Sequence, residues 1–136
     1  MTDFVLDSSA LLRYNDNEAG ADRVEEIFTA CAAGRARTWI SAVQWGEVAG
    51  NLRKRFGQDT QNQTLEGLKH LGVGIVPVTA ERAVRAAEFR EDRKIAYADA
   101  FALELAMDSP NRILVTADYD FKAVDDLAQI EFLPVK

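Results

Sequence analysis

Short, β-rich apolar runs alternate along this chain with longer stretches of helical periodicity, and this alternation limits the possible folds more than any other feature. Strands are expected at 3–6, 38–40, 74–78, 112–116 and 130–135. Helices are expected at 8–15, 19–33, 41–56, 60–71, 80–93 and 96–108, with a short one near 120–128. Such an order builds βαβ units around a parallel sheet. The strands read as near-continuous apolar runs, as they must when helices cover both faces of a sheet. The expected fold is therefore α/β, a three-layer domain with a central, mainly parallel twisted sheet of about five strands. Ser41 followed by Gln44 has the form of a capping box, in which each side chain satisfies an orphan N–H of the first helical turn. Thr79 is suited to cap the helix that follows it. No linker, repeat or low-complexity tract interrupts the 136 residues, so one domain spanning 1–136 is expected.

The chain holds one cysteine, Cys31, which excludes an intrachain disulfide and a thiolate zinc cluster. No apolar run reaches the roughly 18–20 residues of a membrane span. The first residues enter an apolar strand with no basic segment before them, so no signal peptide and a cytoplasmic location are expected. Net charge is −6, with 22 acidic residues against 16 lysines and arginines. Proteins that hold nucleic acid by neutralising phosphates are usually basic. Either nucleic acid is not the ligand, or several carboxylates gather where a cation offsets them.

The positions of the acids favour the second alternative. Ligands of open α/β sheets bind at the carboxyl ends of strands. Asp7 directly follows one strand, and Asp118 stands two residues past another. Capping or turn formation accounts for either one alone. Asp99 is more telling. On helix 96–108 its neighbours three, four and seven residues on are Ala102, Leu103 and Ala106. Glu104 and Asp108 lie roughly 140–180° away at about 100° per residue. A lone carboxylate set into an apolar face costs several kcal/mol or takes up a proton. Compensation by a metal or a partner cation explains the face, whereas a favourable helix dipole explains only the position along the helix.

Glu47 lies roughly 150° from the stripe of Trp45, Val48, Ala49, Leu52 and Phe56 on helix 41–56. Its neighbours three and four residues on are Gly50 and Asn51, so no helical ion pair accounts for it. Four carboxylates thus stand out. Mg²⁺ and Mn²⁺ prefer such hard oxygen ligands, and one or two ions could polarise a phosphodiester and activate a water.

The segments VLDSSALL (5–12), SAVQWGEVAGNLRK (41–54), AYADAFALELA (96–106) and ILVTADYDF (113–121) together resemble the PIN-domain ribonucleases, and most closely the VapC-type toxins of type II toxin–antitoxin pairs. Each motif is weak alone, but four in order, each with its acid, make a specific signal. The resemblance implies that Asp7, Glu47, Asp99 and Asp118 are the catalytic and metal-binding acids. It places Thr116 on the hydroxyl residue that accompanies the last acid and Ser8 on the small polar residue after the first. It further implies Mg²⁺ or Mn²⁺ as cofactor, an RNA substrate cut within the strand, a homodimer and a VapB-like antitoxin partner. Asp120 stands close enough to Asp118 to compete for the fourth place.

Asn51–Arg55 is the densest basic patch, with Arg90, Arg93 and Lys94 a second. Such runs are usually solvated helix faces. The alternative is that Arg53, Lys54 and Arg13 follow an RNA backbone. His70 is the only histidine and lies far in sequence from every acid, which disfavours a histidine base or a His-ligated zinc. Trp39 and Trp45 are expected in the core. No P-loop, GxGxxG or GxSxG motif is present. A phosphatase with a nucleophilic Asp would want a second acid at position 9, which is Ser. The rival from another class is a non-catalytic PIN-like module that binds RNA or protein.

Overall fold

A computed structural model describes residues 1–135. Its five strands are β1 (Thr2–Leu6), β2 (Ala36–Ser41), β3 (Val73–Val76), β4 (Arg112–Thr116) and β5 (Gln129–Phe132). The α-helices are α1 (Ser8–Asn15), α2 (Ala21–Ala32), α3 (Ala42–Phe56), α4 (Gln58–His70), α5 (Ala80–Arg93) and α6 (Tyr97–Ala106). The strands form one sheet in the order β3-β2-β1-β4-β5, and every pairing is parallel. The expected short helix near 120–128 is instead a 3₁₀ helix, Tyr119–Val124, which crosses from the end of β4 towards β5.

Two cores lie on opposite faces of the sheet. Phe4 and Leu6 of β1 face Leu11, Val24, Ile27, Leu52 and Leu68 from α1 to α4. Val5, between them in sequence, faces the other way with Leu114 and packs against α6 and Phe121. This alternation follows from the period of two in a strand. α6 is buried from Ala100 to Ala106 and touches β1, β2 and β4 below it and α3 and α5 beside it.

Glu104 therefore has no solvent to face. It is 2% exposed, and Arg82 reaches it at 2.8 and 3.2 Å, with Arg85 at 2.9 Å. The expected polar side of α6 is an ion cluster against α5, with Glu104 buried and Asp108 at the surface.

Thr79 caps α5 as expected, accepting from the Arg82 N–H at 3.2 Å. Ser41 caps α3 by accepting from the Val43 N–H at 3.3 Å. The reciprocal half of the expected capping box does not form. Gln44 turns inward, where its Oε1 accepts from the Ser8 N–H at 2.7 Å and its Nε2 donates to the Ala98 carbonyl at 2.6 Å. Among the described residues, no helix is long and apolar enough to cross a membrane.

Candidate metal centre

The strand order reverses at β1, whose neighbours are β2 and β4, and a side chain leaving the carboxyl end of this central strand enters the crevice between two crossovers. Asp7 stands there. It directly follows β1, caps α1 and is 2% exposed. One carboxylate oxygen accepts from the Ser9 hydroxyl at 2.7 Å and the Ala10 N–H at 3.0 Å, and the other from the Thr116 hydroxyl at 2.6 Å. Register makes the last contact possible, because Leu6 pairs with Val115 and brings the next residue of β4 alongside Asp7. Thr116 also accepts from the Asp118 N–H at 2.9 Å, so one hydroxyl links the acids at the ends of two adjacent strands.

Asp118 caps the 3₁₀ helix and accepts from the Asp120 N–H at 2.9 Å. Asp120 itself is exposed. Glu47 is exposed on the second turn of α3 and accepts from the Ser8 hydroxyl at 3.1 Å. Asp99 sits half-buried in the first turn of α6. Ser8 thus orients Glu47, while Ser9, which the sequence reading passed over, holds Asp7 and also accepts from the Ala117 N–H at 2.9 Å. An Asp-x-Ser step at a helix start is the local signal for such a contact.

Desolvation is the main reason that Asp7 and Asp99 hold their protons more tightly than usual. Asp99 is pushed up to about 7, first by desolvation and then by the negative charges of Asp118, Asp7, Glu47 and Asp120. Asp7 is pushed up to about 6 by desolvation, against the pull of its three hydrogen bonds. Asp99 thus feels the charges of the other three expected acids and of Asp120, and Asp7 that of Asp118. None of the four makes an ion pair among the described residues. Glu104 is the contrast: as deeply buried as Asp7, it is met by two guanidinium groups.

As they stand, no three acidic, His or Cys side chains among the described residues are gathered at metal-ligand spacing. Drawing these carboxylates closer without a cation would bring like charges together. Their chemistry, hard oxygens with no other counter-charge, suits Mg²⁺ or Mn²⁺.

The basic residues divide. The Arg13 guanidinium donates to the carbonyls of Ala19 at 2.9 Å and Pro134 at 3.4 Å, a tie within the fold. Arg55 pairs with Asp16, and Arg93 with Asp126. Arg53 is exposed with one contact to Gln61 at 3.3 Å, and Lys54 is exposed without a partner among the described residues. His70 is exposed and bonded to the Glu66 carbonyl. Trp39 lies half-buried across Gly74, its indole N–H donating to Asp3 at 3.3 Å.

A family model described as PIN domain matches residues 4–127. No curated protein matches the chain by sequence. Among solved structures, VapBC2 from Rickettsia felis bound to a DNA fragment from its promoter aligns with a TM-score of 0.75 at 16% identity, covering 98% of this chain and 100% of that one. DNA-bound VapBC from Salmonella typhimurium gives 0.73 at 15% identity, with 97% and 98% covered. VapC20 from Mycobacterium tuberculosis, a toxin described as cleaving the sarcin-ricin loop, gives 0.71 at 18% identity, with 96% and 99% covered.

Proposed function

The chain belongs to the PIN domain family, and from that premise we propose that it is a VapC-type toxin, an endoribonuclease that hydrolyses RNA phosphodiester bonds with Mg²⁺ or Mn²⁺. The observation that carries this reading is the contrast between its desolvated acids. Glu104 is neutralised by Arg82 and Arg85, whereas Asp7 and Asp99 are left without a cation at the carboxyl end of the sheet.

Asp7, Asp99 and Asp118 would hold the ion, with Glu47 completing the set. When bound, a divalent cation polarises the phosphate and makes water a better nucleophile at neutral pH. The protein's own groups do the rest. Thr116, Ser9 and the Ala10 N–H fix the Asp7 carboxylate in one orientation. The Ser8 hydroxyl, one residue after Asp7, donates to Glu47 and would steady it beside the ion. Asp99, held near 7, keeps part of its proton at neutral pH, and a bound cation would favour its ionised form. Arg53 and Lys54, on the helix that carries Glu47, supply positive charge for flanking phosphates. A VapB-like antitoxin, a second copy of the chain and a cytoplasmic location complete the reading. The VapBC complexes among the structural neighbours support the antitoxin.

The test is cleavage of a mixed cellular RNA pool by wild type and Asp99→Asn, each with Mg²⁺, with Mn²⁺ and with chelator. Discrete products that require both the metal and Asp99 are expected. Folded, antitoxin-free protein that cuts nothing under any condition would instead favour a binding module on the same fold.

A further inference from the structure

Gln44 is 0% exposed and sits three residues before Glu47, facing inward from the first turn of α3. Its two bonds reach 36 residues back, to the Ser8 N–H, and 54 forward, to the Ala98 carbonyl. Each partner is the backbone neighbour of an acid of the cluster, Asp7 in one case and Asp99 in the other. The orientation of the amide is unambiguous, since an N–H can only donate and a carbonyl can only accept. Ser8 is the first residue of α1, so its N–H is among the donors that a helix leaves without a partner. Asp7, the N-cap, serves the Ala10 N–H, as N-cap side chains serve the second or third helical residue, and leaves the Ser8 N–H to Gln44. The first two turns of α3 therefore carry one acid of the cluster and tie down the backbone beside two others.

We propose that Gln44 is a positioning residue that sets the separation of Asp7 and Asp99, and with it the affinity of the site for a divalent cation; this rests on the metal reading above. The task needs one donor and one acceptor at the end of an unbranched stem of this length. Methionine has the length without the polar pair. Asparagine has the pair but is one methylene short. Groups that orient metal ligands from behind typically change affinity by about 10–100-fold when removed.

The experiment is Mn²⁺ binding by calorimetry to wild type, Gln44→Met, Gln44→Asn and a control, Leu68→Ala, which opens the core under α4, a helix that carries none of the four acids. Thermal melts and hydrogen exchange at the Ser8 amide accompany each titration. Expected is a rise in the Kd for Mn²⁺ of roughly 10-fold or more in both Gln44 variants. The Ser8 amide should lose protection in both, and the Kd of Leu68→Ala should stay unchanged although its melting temperature falls. Two variants guard against one that fails to fold. Wild-type affinity in a folded Gln44 variant would overturn the role of Gln44 and leave the metal reading standing. Equal weakening in Leu68→Ala would overturn it as well, by reducing the effect to general loosening. Wild type that takes up no Mn²⁺ would overturn the metal reading and this inference together.

Discussion

Asp99 gains a proton on folding near neutral pH, and the sign of the consequence follows. Its acidity is shifted from 3.8 in the unfolded chain to about 7 in the fold, and that of Asp7 from 3.8 to about 6. Between about pH 4 and 7 the native state binds more protons than the unfolded one, so these groups make metal-free protein less stable as pH rises through that window. Asp99→Asn, which mimics the neutral acid, should match wild type near pH 4 and melt several degrees higher at pH 7.5. Discounted for solvent screening of a half-buried group, the gain is about 1–2 kcal/mol. Excess Mn²⁺ should reverse the order, since only wild type keeps the full ligand set. Scanning calorimetry at the two pH values, with and without Mn²⁺, checks both. The anomaly of Asp99 was legible in the sequence, because its helical neighbours are apolar. The role of Gln44 was not. Ser-x-x-Gln at a helix start suggests a local box, and nothing local reveals partners 36 and 54 residues away.

At the scale of elements, the strands were legible because burial on both faces leaves a continuous apolar run. α6 was read as two-sided because Glu104 and Asp108 share a side, but α5 covers that side and supplies the compensating charge. Arg82→Met should therefore destabilise by about 2–3 kcal/mol, below the usual cost of breaking a buried pair because Arg85 still reaches Glu104. Urea denaturation measures this, and Mn²⁺ affinity should not change. A second prediction concerns the contact between β2 and β3. A Cβ at Gly74 would stand 2.6 Å from Cε3 of Trp39, so the indole must shift. Gly74→Ala should cost roughly 1–3 kcal/mol by overpacking, with a change in tryptophan emission; unchanged emission and stability would contradict the close packing.

For the whole molecule, an excess of six negative charges is less a barrier to RNA than a sign of where a cation belongs. Saturating Mn²⁺ at about 100 times its Kd should stabilise wild type by roughly 2.7 kcal/mol. NaCl at equal ionic strength should not, because it screens charge without entering the ligand shell. Equal effects of the two salts would point to general screening of the acidic surface. The alternation of elements made the sheet legible as parallel, but the strand order was invisible, since it depends on which pairs of distant segments meet.

That order also has a consequence in time. β1 needs β2 on one side and β4 on the other, and about 70 residues separate the end of β2 from the start of β4. At synthesis rates of about 5–20 residues per second, the second neighbour arrives on the order of ten seconds after the first. During that interval one edge of the central strand stays unpaired and Asp7 has neither Thr116 nor Asp118 beside it. A ribosome part-way along this message therefore carries a chain that cannot yet assemble its acidic site, and whatever activity the fold confers begins only once the late strand has been made.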